Sequence, residues 1–420
     1  MIVYKFGGAS ASSIERISNI GEILTQKTGE KILIVISAMG KTTNALEKVA
    51  EAFYNGRSEE ALNLFRLIKE KHLDTLKYLI TRNWKTATED LQNYFTEVEW
   101  LLYDKPTNSY DYYYDQIVCI GELLSTTLIS WYLKEVGILN ILLDVRDIFR
   151  TDDNFRDATV ELSFAQDAID NKIIPLFGSC DIIITQGYIG ATDENESTTL
   201  GREGSDYSAA LFANMLDANS LTIWKDVMGI MNGDPKEFND ATFIPALSYD
   251  EVIEMAYYGA QVIHPKTIKP LQNKNIPLYV KSFLEPSLPG TIINKVKVHH
   301  LPPIKILKQN QVLVTLSSTD FSFVGEKPVS RLYEIFAGLK IRPNLIQTTA
   351  ISLLCCMDDV AEKIDQLALL ASELFEVQLQ RGLTLTTIRH YTREGLSEML
   401  NNKVILLEQK TKDTCQILCA

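Results

Sequence analysis

The chain has 420 residues, which suits two to three domains, and its 46% hydrophobic and 23% charged residues are those of a soluble globular protein with ample core. With 41 Lys+Arg against 54 Asp+Glu the net charge is −13 and no basic run stands out, which argues against nucleic acid or an anionic membrane surface as the main partner. Six cysteines, Cys119, Cys180, Cys355, Cys356, Cys415 and Cys419, form no CxxC pair and have no His at metal-ligand spacing. That is the pattern of reduced thiols in a cytoplasmic protein, and no protein metal site is read from it. The N-terminal MIVYKFGG runs straight into a strand without the features of a signal peptide, and no apolar run reaches the ~18 residues that span a bilayer.

From the N-terminus to about residue 290, short apolar runs alternate with helical patterns, predicting an α/β fold around a mainly parallel sheet. Strands are expected at 2–6, 32–36, 141–145, 181–186, 221–224 and 277–280, rich in Ile, Val and Leu and not alternating, as in strands buried on both faces. Residues 43–100 carry helix-period Leu, Phe and Ala, predicting helices that pack on one another. A helix is expected at 115–133. Turn-rich EPSLPG (285–290) and LPP (301–303) mark a boundary. Beyond it the order is strand 304–316, helix 329–339, extended 345–357, helix 360–375 and strand 377–385, the βαββαβ pattern of small ligand-binding modules. A shorter second round follows, with a strand at 386–390, a helix near 393–400, and a hairpin of 403–408 and 414–418.

Three places carry chemistry. After the first strand, Lys5-Phe6-Gly7-Gly8-Ala9-Ser10 gives two glycines that let a backbone approach phosphate oxygens, and Ser12 with Glu15 matches a capping box opening a helix. A tight strand–helix turn with a surface lysine fits this motif equally well. The G-x-G-x-x-G fingerprint is absent, and Gly40-Lys41-Thr42 is no P-loop because Val35 stands where glycine is required. Second, Glu122 lies mid-helix among apolar residues, where a carboxylate is costly unless paired: either a structural ion pair or a binder for an ammonium group. Third, TTLGREGSD (198–206) is another glycine-rich helix start, with Arg202 offering a fork for a carboxylate and Asp206 either a helix-dipole partner or a holder for Lys5.

These residues resemble the aspartate kinases of the amino acid kinase superfamily. The resemblance rests on KFGGAS (5–10), SAMGKTTN (37–44), GELLS (121–125), TTLGREGSDYSAAL (198–211), WKDVMGIMNGDP (224–235), GAQVIHP (259–265) and VKSFLEPSLPGT (280–291), in the family's order and spacing. The C-terminal part resembles the ACT regulatory modules that follow this catalytic domain.

The resemblance implies an α/β amino acid kinase sandwich at 1–295, a linker at 296–306 and an α+β, ferredoxin-like ACT region at 307–420 with its second module abbreviated. It implies ATP with Mg²⁺ as donor and L-aspartate as acceptor, giving 4-phospho-L-aspartate. Lys5 would stabilise the transferring phosphoryl group and Asp206 would orient Lys5. Gly7, Gly8, Ala9 and Ser10 would cradle phosphate. Ser37, Thr43, Glu122, Arg202 and Ser205 would bind aspartate, with Glu122 on its ammonium and Arg202 on its α-carboxylate. Lys225, Asp226, Met231, Asp234, Lys236 and Gln261 would contact the nucleotide, whereas His264 reads as a hydrogen-bonded structural histidine. Ala9, Glu203, Lys225, Met231, Lys236 and Gln261 depart from the residues most frequent at these places. A homodimer through the ACT-like modules, with lysine or threonine as effector, is also implied. The alternatives are a kinase for another amino acid, a catalytically silent amino-acid sensor, and a tail that only dimerises.

Overall fold

The computed structural model describes residues 1–27, 29–319, 323, 325–392, 396 and 404–420. It divides into two compact units, one of residues Met1–Ile230, Pro245–Ile253 and Val262–Val298, the other of Met231–Ile244, Glu254–Gln261 and His299–Ala420.

In chain order the first unit contains β1 (Ile2–Phe6), α1 (Ile14–Thr25), β2 (Ile32–Ile36), α2 (Thr42–Tyr54), α3 (Ser58–Leu79), α4 (Trp84–Tyr103), α5 (Tyr110–Val118), α6 (Ile120–Glu135), β3 (Ile141–Leu142), α7 (Leu162–Ala168), β4 (Ile182–Gln186), β5 (Ile189–Ala191), β6 (Ser197–Thr199), α8 (Gly204–Met215), β7 (Leu221–Lys225) and β8 (Ala246–Ser248). The chain continues through α9 (Tyr249–Tyr257), α10 (Pro265–Lys274), β9 (Leu278–Ser282) and β10 (Thr291–Asn294). Eight strands form one sheet in the order β3-β4-β2-β1-β7-β9-β10-β8. From β3 to β9 all neighbours are parallel, and only β10 runs against β9. The run Ile-Leu-Ile-Val-Ile in β2 is wholly buried, as a strand covered on both faces must be.

Residues 43–100 fold as the expected helices. Phe65 of α3 meets Phe95 of α4 edge-on at 6.2 Å, and Lys69 pairs with Glu99 at 2.9 Å. The helix expected at 115–133 is longer and begins earlier: α5 and α6 follow each other across Cys119, and Ser109 caps the start by accepting from the Tyr112 N–H. Five residues of Tyr-Asp-Tyr-Tyr-Tyr, poor helix formers by themselves, are drawn in by that cap and by packing. The joined stretch Tyr110–Glu135 is long and apolar enough by composition to cross a bilayer, contrary to the sequence reading. Its most apolar window is 89% buried inside the protein, as in a core helix.

The second unit holds β11 (Ile304–Ser317), α11 (Glu326–Gly338), β12 (Leu345–Thr348), β13 (Ser352–Asp358), α12 (Ala361–Ala371), β14 (Glu376–Arg389), β15 (Ile405–Lys410) and β16 (Thr414–Cys419). They form an antiparallel sheet, β12-β13-β11-β14-β16-β15. Leu332 and Phe336 of α11 and Ile364 and Leu367 of α12 pack on Val314, Leu316 and Cys355 of this sheet. The βαββαβ order is present, with Gly325 at the N-cap of α11. The strand expected at 386–390 is the far end of β14, which pairs with β16, and the hairpin is β15–β16. The helix expected near 393–400 lies, apart from Leu396, outside the described residues, as do residues 320–322 and 324 of the segment 317–324.

Candidate active site

Parallel pairing sets Phe6 of β1 beside Ile36 of β2 and Trp224 of β7, so three strands end at one level. Lys5, one residue from the end of β1, is 8% exposed, and its Nζ lies 2.5 Å from Oδ1 of Asp206 in the first turn of α8. Burial pushes the Asp206 carboxyl up, but Lys5 and then Lys225 outweigh it and hold the group below its ordinary range. Asp206 is therefore an anion that fixes a cation at the strand end.

The turn after β1 is a short 3₁₀ segment, Gly8–Ala11, and α1 starts only at Ile14. The cap is Ser13, which accepts from the Arg16 N–H, not Ser12, whose hydroxyl instead donates to the Ala9 carbonyl. The 3₁₀ turn displaces the helix start by one residue from the capping-box register. A β-carbon on Gly8 would stand 2.8 Å from the Gly40 carbonyl oxygen and 2.9 Å from that of Ala38, and the Gly40 N–H donates to the Gly8 carbonyl at 2.9 Å. Glycine thus lets the turns after β1 and β2 press together, and the second of these carries Ser37.

Glu122 sits at the start of α6 and is 2% exposed. Its Oε1 accepts from the Ala38 N–H at 3.3 Å, and its Oε2 has no partner among the described residues. Burial, only partly offset by the N–H groups of Ala38 and Glu122 and by Lys5, pushes this carboxyl up to about 8. A buried carboxyl oxygen left open has room to pair with a cationic group.

A cleft of about 450 Å³ within the first unit gathers Lys5, Ser37, Thr43, Glu122, Arg202, Ser205 and Asp206. Gly7 to Ser10 form the adjoining turn without lining the cleft; a β-carbon on Gly7 would sit 3.3 Å from the Lys5 ammonium. Lys225 and Asp226 end and follow β7, where Lys225 donates to the Val262 carbonyl at 2.8 Å. Met231, Asp234, Lys236 and Gln261 fall in the second compact unit and do not line the cleft. There the Asp234 carboxylate accepts from the Lys236 N–H at 2.9 Å, closing a turn. His264 caps α10 through Nδ1, which accepts from the Lys266 N–H, a structural role.

Sequence reasoning missed Glu47, Tyr114, Arg156 and Tyr188, which also line the cleft. Glu47 lies four residues after Thr43 on α2, so helical spacing from Thr43 points to it. Its Oε1 accepts from the Tyr114 hydroxyl at 2.6 Å. Tyr188 and Arg156 stand in irregular segments that carry no periodic signal.

Such a cleft is shaped for a small zwitterion beside a phosphate-bearing donor, the task of a small-molecule kinase. Comparison with known proteins agrees. Residues 1–282 match the model of the amino acid kinase family. Over 400 residues the chain is 30% identical to lysine-sensitive aspartokinase 3 of Escherichia coli (strain K12), covering 92% of this chain and 86% of that protein. The crystal structure of E. coli aspartokinase III in complex with aspartate and ADP (R-state) superposes with a TM-score of 0.83 at 28% identity, covering 100% of this chain and 96% of that one. The same enzyme in complex with lysine and aspartate (T-state) gives 0.82 at 27% identity, covering 100% and 95%. The chain belongs to the amino acid kinase family, and within it to the aspartokinases.

Proposed function

We propose that this protein transfers the γ-phosphoryl group of ATP to the side-chain carboxylate of L-aspartate, giving 4-phospho-L-aspartate, the first step toward lysine, threonine and methionine. The observation that carries this reading is the open Oε2 of Glu122, a buried carboxyl that an ammonium can pair with on loss of its proton, in one cleft with Arg202 and the Lys5–Asp206 pair. The aspartokinase relatives support it.

The chemistry needs no general base, because a carboxylate with a pKa of ~3.9 is already ionised at neutral pH. The obstacle is bringing that anion against a polyanion, so positioning and positive charge carry the catalysis. Glu122 holds the ammonium and Arg202 the α-carboxylate, with Ser37, Thr43 and Ser205 donating or accepting around them. Lys5, kept in place by Asp206, meets the charge of the transferring phosphoryl group. Gly7, Gly8, Ala9 and Ser10 border the phosphates, and Lys225 and Asp226, at the end of β7, take the rest of the nucleotide.

Among the described residues no group of three or more His, Cys, Asp or Glu is placed to hold a metal. A Mg²⁺ carried on the ATP phosphates would keep several waters and ask few carboxylates of the protein. Bound there, it neutralises phosphate charge. We assign 1–295 to catalysis, 296–306 to a linker and 307–420 to ACT-like regulation and dimerisation, in a cytoplasmic homodimer with lysine or threonine as effector.

The test is ATP- and Mg²⁺-dependent acyl-hydroxamate formation with L-aspartate and hydroxylamine, wild type beside Lys5→Ala. The expected outcome is a signal with aspartate that falls by about 10²-fold or more in the variant, as when a charge-stabilising donor is removed. No hydroxamate from folded wild type sinks the proposal and leaves a silent amino-acid sensor.

A further inference from the structure

Nine described residues other than glycine have positive φ, and three of them, Arg156 (71°), Tyr188 (71°) and Glu203 (54°), line this one cleft. Left-handed backbone is a conformation glycine adopts freely and arginine does not. At residue 156 the conformation serves the backbone: the Arg156 N–H donates at 2.9 Å to Oδ2 of the buried Asp115, which also takes the Thr199 N–H and hydroxyl. A glycine would make that bond without strain, so the side chain must earn its place by what it does.

The guanidinium is held, not loose. It lies 4.4 Å from the centre of the Tyr114 ring, and its Nη1 donates to Asp111 at 2.9 Å. Tyr114 is tied through its hydroxyl to Glu47, one turn along α2 from Thr43. The cation therefore stands on the wall that also carries Thr43, with its side chain about half exposed to the cleft and solvent.

The charges of the cleft can then be matched to the acceptor. Glu122 offers one open carboxyl oxygen, Glu47 takes the Tyr114 hydroxyl, Glu203 takes the His264 N–H, and Lys5 is paired with Asp206. The two guanidinium groups are Arg202 and Arg156; only Nη1 of Arg156 donates to Asp111, which leaves the rest of its fork for a ligand. Aspartate brings one ammonium and two carboxylates. We propose that Arg156 is a specificity-determining residue that binds the side-chain carboxylate of the acceptor and selects dicarboxylic over neutral amino acids; this rests on the aspartate reading above. Holding one oxygen leaves the other free to attack, and the guanidinium screens the approach of carboxylate to phosphate.

The test measures binding without chemistry. L-aspartate and its uncharged isostere L-asparagine are titrated calorimetrically into full-length wild type, Arg156→Gly, Arg156→Gln and Arg156→Lys. Arg156→Gly keeps the backbone conformation and removes the guanidinium, so its melting temperature stays at or above that of the wild type. Aspartate affinity is expected to fall about ten- to hundredfold in the Gly and Gln variants, the size of a lost charge-assisted pair. Asparagine affinity stays level, and Arg156→Lys recovers part of the loss. Equal losses for both ligands would show a structural role, and no loss for aspartate would show no role; either overturns the proposal. If wild type makes no acyl-hydroxamate, the functional reading fails. If it does and Arg156→Gly binds aspartate as well as wild type, this inference alone fails.

Discussion

Glu122 ties a proton to substrate binding. Its folded-state pKa is raised from the usual carboxyl range to about 8, so the folded chain holds a proton there that the unfolded chain has released. Stability from this group is greatest below the ordinary carboxyl pKa and falls as pH rises through that value toward about 8. Asp206 is held ionised beside Lys5 and burial pushes Tyr188 up to about 12, whereas burial also pushes the Asp115 carboxyl up to about 6, so the Glu122 effect is read above that pH. An ammonium ligand needs the carboxylate, so aspartate binding should release a proton at pH 7 and its KM should fall as pH rises to about 8. Calorimetry in buffers of different ionisation enthalpy measures the proton, and Glu122→Gln should abolish both it and the pH dependence. A KM for aspartate that is flat between pH 6 and 9 rules this linkage out. Lys5, Glu122, Arg202 and Asp206 were legible in the sequence because each sits on a local signal: a strand end, an apolar helix, a glycine-rich helix start. Tyr114, Arg156 and Tyr188 were not, because helix packing of α5 on α2 brings in the first and irregular segments the other two.

At the scale of elements, the turns after β1 and β2 act as one part. A β-carbon on Gly8 meets two backbone carbonyls at 2.8 and 2.9 Å, and backbone cannot swing aside as a side-chain tip can. Gly8→Ala should displace the turn bearing Ser37 and lower kcat/KM by about tenfold or more, with the helix content by circular dichroism unchanged. Gly178→Ala, with nothing within 4 Å of its new carbon, should leave turnover as it was. Equal activity in both variants would show that the two turns are not coupled. The parallel strands were readable because burial on both faces leaves continuous apolar runs. The strand expected at 141–145 stops at Leu142 because the Asp144 carboxylate takes the Arg146 N–H and opens a 3₁₀ turn. That competition between side chain and ladder leaves no mark in hydrophobic pattern.

For the whole molecule the open matter is whether the second unit reports to the first. We expect sedimentation equilibrium to give twice the chain mass of 47.4 kDa, and lysine, the ligand of the T-state relative, to lower acyl-hydroxamate formation. Coupling between two sites is reciprocal in binding free energy. If lysine weakens aspartate binding by a given factor, aspartate must weaken lysine binding by the same factor. Thermal shifts supply the second half of the cycle, since a ligand of the folded state raises the melting temperature by an amount that grows with the logarithm of its concentration over its Kd. Lysine alone should raise the melting temperature, and lysine with aspartate should raise it by less than the sum of the two separate shifts. Additive shifts with unchanged turnover would mean a bound amino acid that the cleft does not sense. No shift with lysine or threonine, in a protein of twice the chain mass, would leave the second unit a dimerisation module.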